Sequence, residues 1–131
     1  MTGCIIALLT HGSGCNMVDC LMGPTETLGD FRFAVKVDIS GIIYNSGDVV
    51  FISGSASSGC ATERLGECVS FYTNGDEFFV HLRLYSMQSR MTPHSARWRP
   101  SARYDTCSMH NVQLAYAWYA DQQDLVAIAA L

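Results

Sequence analysis

The 131-residue sequence predicts a single all-β domain over residues 1–131, built as an antiparallel β-sandwich of jelly-roll type. Two observations predict it. Short segments alternate apolar and polar side chains, which is typical of strands half-buried in a sheet. Turn signals recur about every 8–12 residues, as in sandwiches and barrels. No long helical stripe interrupts them, so βαβ crossovers are not expected.

The clearest alternation runs from Phe31 to Ile39. It places one set of side chains on a common face: Phe31, Phe33, Val35, Val37 and Ile39. The period of two and the β-branched and aromatic content predict one continuous strand with these side chains on a single face.

Two hairpins are expected. Residues 42–44 and 49–52 are apolar runs joined by Asn45-Ser46-Gly47-Asp48, and residues 69–73 and 77–85 flank Asn74-Gly75. Asn-Gly is a strong hairpin signal, because type I′ turns need positive φ at both central residues. The return strand is expected to bury Phe78, Val80, Leu82 and Leu84.

The remaining segments are less regular. Residues 110–120 alternate as a strand, 124–131 fit a strand or a short helix, and 54–66 are a Gly/Ser-rich loop. Residues 86–104 fit a strand followed by a loop broken by two prolines. Residues 5–9 fit a strand, and the segment from His11 to Pro24 is irregular.

Charged residues make up only 15% of the chain, below the roughly 25% of typical soluble domains. No run approaches the roughly 18 apolar residues that cross a bilayer, so no membrane partner is expected. Five of the eight basic residues lie in one stretch that suggests a local site for an anionic or polyhydroxyl ligand: Arg83, Arg90, Arg97, Arg99 and Arg103. A solvated arginine-rich loop is the alternative.

Six cysteines permit a three-bridge framework, which would favour an extracellular location. Cys60 and Cys68 flank a glycine-containing turn and form the first candidate pair. The alternative is reduced, buried thiols that behave as small hydrophobic residues.

The most informative feature is the second face of the 77–85 strand, which carries Phe79, His81, Arg83 and Tyr85. Alternate side chains lie about 7 Å apart along a strand. Planar donors and aromatic rings in this arrangement suit the hydroxyl pairs and apolar C–H faces of sugars. A merely polar outer face, with the histidine and arginine paired to Asp76 or Glu77, is the alternative.

Residues 46–50 (Ser-Gly-Asp-Val-Val) and 71–81 (Phe-Tyr-Thr-Asn-Gly-Asp-Glu-Phe-Phe-Val-His) resemble the galectins, particularly the mushroom branch. The resemblance covers about residues 46–98. It implies a sandwich that binds β-galactoside-like sugars without a metal or other cofactor. The positions it assigns to the ligand are His81, Arg83, Tyr85, His94, Arg97 and Trp98, with Tyr104 as an alternative stacking ring.

The chain departs from the galectin pattern at key positions. Tyr85 stands where the family has its arginine, and His94 stands where it has its asparagine. The acidic residue that follows the family's tryptophan has no clear partner, Asp105 being the nearest.

Other chemistries have weaker signals. Cys107-x-x-His110 is half of a metal-ligand spacing and lacks a second close pair. No nucleophile elbow or phosphate loop occurs, so an enzyme is not expected. Nucleic-acid binding by the arginine stretch is disfavoured by the net charge of −4.

The sequence therefore predicts a lectin-like carbohydrate-binding module that forms homo-oligomers. The alternatives are a structural subunit of a coat or larger complex, and a secreted cysteine-rich effector.

Overall fold

The computed structural model describes residues 18–53, 64–115 and 117–128. Of these residues, 73% lie in β-strands, none lies in an α-helix, and all the strand pairs are antiparallel. The predicted fold class, a sandwich-like all-β domain, is confirmed. No helix among these residues is long and apolar enough to span a membrane.

The described residues form twelve strands and one short 3-10 turn at Met109–Asn111. In chain order the strands are β1 (Cys20–Leu21), β2 (Glu26–Leu28), β3 (Phe31–Ala34), β4 (Lys36–Ile39), β5 (Ile42–Asn45), β6 (Val49–Ile52), β7 (Arg64–Thr73), β8 (Phe78–Thr92), β9 (Ser95–Ser108), β10 (Val112–Leu114), β11 (Ala117–Asp121) and β12 (Asp124–Ile128).

The strands form a small sheet and a large sheet. The small sheet has the order β1-β4-β5, and the large one has the order β10-β6-β7-β8-β9-β12-β11. Strand β3 pairs with one end of β7, and β2 pairs with β3, so the large sheet has nine strands. Strand β6 pairs with the other end of β7, which leaves a gap in the sheet between β3 and β6.

The first core fills the space between the two sheets. Val37 and Tyr44 from the small sheet pack against Phe71, Val80 and Leu82 from the large one, and all five are at most 4% exposed. Each large apolar side chain buried in this way contributes roughly 1.5–3 kcal/mol. The alternation of β8 is confirmed, since Val80, Leu82 and Leu84 are buried while Phe79, His81 and Arg83 point to the opposite face.

A second core lies on the opposite face of the large sheet, toward β12. It contains Leu65, Trp98 and Leu125, with Tyr85 packed against it. Strands β8 and β9 therefore bury one face near Leu82 and the other face near Tyr85. The register shifts by extra residues on β9 between Arg83 and Tyr85, where the sheet passes from one core to the other.

The hairpin predicted at Asn74-Gly75 is confirmed, but its turn is longer than type I′. Thr73 pairs with Phe78, so four residues form the connection. The Asn74 side chain accepts hydrogen bonds from two backbone amides of the turn, and Gly75 has φ +102°. The asparagine acts through its side chain instead of adopting positive φ.

The strand predicted over 31–39 is divided at Val35. Residues before this point pair within the large sheet, and Val37 and Ile39 pair within the small sheet. The chain bends from one sheet to the other, so Phe31 and Phe33 point away from the first core while Val37 and Ile39 point into it. The prediction of one common face was wrong for this reason.

The first predicted hairpin was also wrong in its pairing. β5 pairs with β4 through Ser40 and Gly41, both with positive φ, whereas β5 and β6 lie in different sheets. Asn45–Asp48 is a real turn, since the Asn45 amide donates to the Asp48 carboxylate at 2.7 Å. It connects the two sheets instead of two neighbouring strands.

The C-terminal segments differ in part from expectation. Residues 110–120 do not form one strand, because the 3-10 turn and the break after Leu114 separate β10 from β11. The tail forms a strand over its described part. Residues 86–104 are a long hairpin, with a turn at Pro93-His94, and Pro100 lies within β9.

Two of the cysteines are buried or half-buried thiols. Cys68 is 1% exposed in the first core and Cys107 packs against it, and neither is in a disulfide. The predicted Cys60–Cys68 pair is therefore not formed, and Cys60 itself lies outside the described residues. Cys68 and Cys107 match the alternative in which cysteine acts as a small apolar residue.

Candidate functional site: the outer face of the large sheet

The predicted binding strand lies in the middle of the large sheet, with β7 on one side and β9 on the other. We call the sheet surface opposite the first core, around β8, the outer face. Pairing register brings together three rows of side chains across it: Phe33, Tyr72, Phe79 and Ser108; Ser70, His81 and Thr106; Glu67, Arg83 and Tyr104.

An aromatic ladder occupies one end of the outer face. The ring of Tyr72 stacks between Phe33 and Phe79, with centroid distances of 5.1 and 5.2 Å. Phe31 adds an edge contact to Tyr72 at 5.5 Å. Both faces of the Tyr72 ring are therefore covered by neighbours. Such aromatic pairs add about 0.5–1.5 kcal/mol beyond their burial, so the ladder also stabilises the sheet.

The middle of the outer face is formed by His81 and Tyr104. Their rings are nearly parallel, with centroids 5.4 Å apart. Nδ1 of the imidazole lies 3.4 Å from Oγ1 of Thr106, at the long end of hydrogen-bonding distance. Tyr104 is 55% exposed, so an aromatic surface remains accessible beside the imidazole.

Arg83 lies one step further along β8. Its Nε is 3.9 Å from Oε1 of Glu67, close enough for an ion pair and too long for a hydrogen bond. The Nε atom is buried, and no described residue accepts a hydrogen bond from it. A buried donor without an acceptor costs roughly 1–3 kcal/mol, so the donors that Arg83 can offer to a ligand are the terminal nitrogens of its guanidinium.

A carboxylate lies on the other side of the same two strands, because Asp105 is the cross-strand partner of the buried Leu82. Asp105 accepts hydrogen bonds from the backbone amide of Thr106 at 2.8 Å and from Arg64 at 3.0 Å. The amide of Thr106, followed by the guanidinium of Arg64 and the imidazole of His81, holds the pKa of this carboxyl below its usual range. This carboxylate therefore pairs with Arg64 and is not one of the groups that the outer face presents.

A groove of about 600 Å³ opens where β3 leaves the sheet. Phe33, Val35 and Leu28 supply apolar walls, and Glu26 and Ser70 supply polar groups. Because Ser70 is the direct neighbour of His81 across the β7–β8 pair, the groove adjoins the middle of the outer face. Its volume falls within the usual range of small-molecule sites.

Four of the six predicted ligand residues lie elsewhere. Tyr85 packs in the second core, where burial raises the pKa of its phenol. Trp98 is only 2% exposed in the same core and cannot stack on a sugar. Their positions correct the expectation that both line the site. Tyr85 does point to the same side of β8 as His81 and Arg83, as predicted. Beyond Arg83, however, this side of the sheet is covered by the second core.

His94 and Arg97 are separated from His81 for different reasons. His94 is exposed at the tip of the β8–β9 hairpin, roughly 35–40 Å along the strand from His81. Arg97 donates to Asp121 at 2.7 Å and lies 3.5 Å from a carboxylate oxygen of Asp124. The hydrogen bond to Asp121 raises the pKa of Arg97. The guanidinium of Arg97 is therefore already paired with carboxylates of the chain.

Sequence reasoning missed the contributions of β2, β3 and β7. Glu26, Phe33 and Ser70 carry no motif, and only the register of β2, β3 and β7 places them on the same face as His81. Tyr72 lies within the galectin-like segment, which assigns it no role. Tyr104 was considered as an alternative ring and is the one that the outer face contains. The described residues include no group of three His, Cys, Asp or Glu side chains that could hold a metal ion.

The sequence matches no model of a known protein family and no curated protein. The geometry of the outer face is therefore the basis for assigning a function.

Proposed function

We propose that the protein is a carbohydrate-binding module that holds a sugar on the outer face and acts by binding alone. The single observation that carries this proposal is the exposed ring of Tyr104, stacked on His81 and placed directly across from Arg83. A sugar ring needs an aromatic surface for its C–H face and planar donors for its hydroxyl groups. Side chains of both kinds lie together at this position.

The polar groups around Tyr104 include donors and acceptors. Arg83 offers guanidinium donors, Glu67 offers carboxylate acceptors, and the imidazole of His81 can do either. Vicinal hydroxyl groups donate and accept at once, so this mixture matches them better than it matches a phosphodiester, which has no hydrogen to donate. Glu67, the cross-strand partner of Arg83, also places negative charge at the site, which disfavours anionic ligands such as nucleic acid.

The groove beside Phe33 extends the same proposed site. One face of the Phe33 ring is covered by Tyr72, and the ring also lines the groove with Glu26 and Ser70 nearby. A second sugar residue placed there would meet an aromatic wall and two hydrogen-bonding side chains. The proposed ligand is therefore an oligosaccharide of at least two units, and not a monosaccharide.

A galectin-like relationship remains part of the proposal. Of the positions that the resemblance assigns, His81 and Arg83 lie on the outer face, with Tyr104 as the stacking ring. A β-galactoside such as lactose is therefore the first sugar to test.

A glycan array followed by calorimetric titration tests the proposal. We expect His81→Ala and Arg83→Ala each to weaken binding at least tenfold, about 1.4 kcal/mol. Matched controls of the same residue types are His94→Ala, at the hairpin tip, and Arg103→Ala, which is exposed in β9. Absence of binding to any glycan, or equal effects of the site and control variants, would refute it.

The second candidate function is a structural subunit of a larger assembly. Large apolar side chains are exposed at three separate places on the described surface: Ile42 and Ile43; Met87 and Met91; Trp118 and Tyr119. Exposed apolar clusters of this kind suit burial by neighbouring subunits. Light scattering of the purified chain tests this function, because large uniform particles would favour it over the lectin proposal.

A further inference from the structure

We infer that β11 is the contact strand for a second copy of this chain, which extends the large sheet by antiparallel pairing of β11 with itself. Within the described residues, β11 ends the strand order of that sheet and pairs only with β12. Its remaining backbone edge faces away from β12. An edge strand with unpaired amides is a template for another strand.

Features that normally protect an edge strand are missing from β11. Its residues are Ala117, Trp118, Tyr119, Ala120 and Asp121, without lysine or proline. Its pairing with β12 runs through all five residues without a bulge. The single charge, on Asp121, accepts a 2.7 Å hydrogen bond from Arg97 and is thereby neutralised. Proteins that keep an edge strand single usually interrupt it with such charges, prolines or bulges.

The hydrogen-bonding pattern sets which amides are available. Asp121 and Asp124 close a two-residue turn, so these flanking residues form a hydrogen-bonded pair. Hydrogen-bonded and non-hydrogen-bonded pairs alternate along an antiparallel ladder. Tyr119 and Ala117 therefore bond to β12, while the amide and carbonyl groups of Trp118 and Ala120 point outward.

A two-fold axis at Tyr119 uses these outward groups completely. Trp118 of each copy then exchanges two hydrogen bonds with Ala120 of the other, and the two Tyr119 residues form the central non-hydrogen-bonded pair. The large indole lies opposite the small methyl group twice, and Asp121 lies opposite Ala117 instead of another acid. This pairing of large with small and of charged with neutral side chains is the reason for choosing a second copy as the partner.

A charge-swap experiment on the full chain tests the interface. Tyr119 is 53% exposed, so substitution leaves the folded core intact. Tyr119→Lys places two lysines directly opposite each other across the axis, with their Cα atoms about 4.5 Å apart, and like charges in this position repel. Tyr119→Glu does the same with two acids. In sedimentation equilibrium the wild type is expected to dimerise and each variant to be monomeric. An equimolar mixture of the two variants should dimerise again.

Met91→Lys, at a position of similar exposure on the long hairpin, is the control and should dimerise like the wild type. Circular dichroism checks that each variant keeps its β-sheet spectrum. A monomeric wild type at micromolar to millimolar concentration would overturn the inference. So would variants that associate like the wild type, or a mixture that stays monomeric. A monomer that instead takes up a foreign extended peptide at β11 would overturn the choice of partner. Sugar binding by a monomeric variant would leave the proposed function standing.

Discussion

His81 and Tyr104 stack with their ring planes 11° apart, although they are on neighbouring strands and are not direct cross-strand partners. Thr106 is opposite the histidine, and Arg83 is opposite the tyrosine. The stacked rings are diagonal neighbours, at a separation that long and aromatic side chains can span. This contact orients the imidazole and leaves the tyrosine as the accessible aromatic surface.

Tyr104→Ala should weaken sugar binding at least tenfold, because it removes both the stacking surface and the support of His81. Tyr104→Phe should keep the affinity within a few-fold of the wild type, since the ring is retained. Titration with a monovalent sugar measures both, without a contribution from association of copies. Equal losses in the two variants would show that the hydroxyl group, and not the ring, makes the contact.

Leu82→Ala should lower the free energy of unfolding by about 2–5 kcal/mol, because it leaves a cavity at a fully buried position. Leu28→Ala is the matched control, since Leu28 is 72% exposed. Urea denaturation followed by tryptophan fluorescence measures both variants. A Leu82→Ala protein as stable as the control would contradict the placement of the first core.

Acid should weaken the contacts between β9 and β12. Hydrogen bonding to Arg99 holds the pKa of Asp124 below its ordinary value, so the folded state binds that proton less readily than the unfolded chain. The stabilisation is present above the ordinary carboxyl pKa of about 3.9 and disappears as pH falls through the lower folded value. Asp124→Asn should flatten the acid limb of the stability profile, whereas Asp30→Asn, at an exposed turn, should not.

The Cys68 thiol should resist modification in the native protein. Burial raises the pKa of Cys68 far above its usual range and raises that of Cys107 to about 11, so little thiolate exists at mildly alkaline pH. Cys68→Ser should leave the number of rapidly labelled thiols unchanged in the native protein and reduce it by one after denaturation. A reduction in the native protein would contradict the buried placement.

The predictable parts of the fold were those determined by local chemistry. The alternation of β8 and the position of the hairpin at Asn74-Gly75 were read correctly, because strand period and turn residues act within a few residues, whereas the type of turn was not. The break at Val35 was not predictable, since alternation continues through it and the change of sheet depends on β7 and β5. The pairing of β5 with β4 was missed for a similar reason. The turns at residues 40–41 and 45–48 both contain glycine, and only tertiary packing decides which of them joins paired strands.

The same distinction between local and tertiary information applies to the residues of the candidate site. His81 and Arg83 were identified because one strand carries both. Trp98 was misassigned because an aromatic beside arginines gives no sign of its burial. Glu26, Phe33 and Ser70 could not be found, because their proximity to His81 depends on strand register across β2, β3, β7 and β8.

Strands β8 and β9 contribute to cores on both sides of the large sheet, and the second core also draws on Leu65 from an earlier part of the chain and Leu125 from a later one. The chain therefore offers no point of division at which one core could be separated with all of its own segments. A fragment made by cutting the chain between the two cores would therefore lack some of the strands that pack against each core. New termini or inserted domains should accordingly be placed at the tip of the β8–β9 hairpin, around Pro93-His94, where the strands of both cores stay intact.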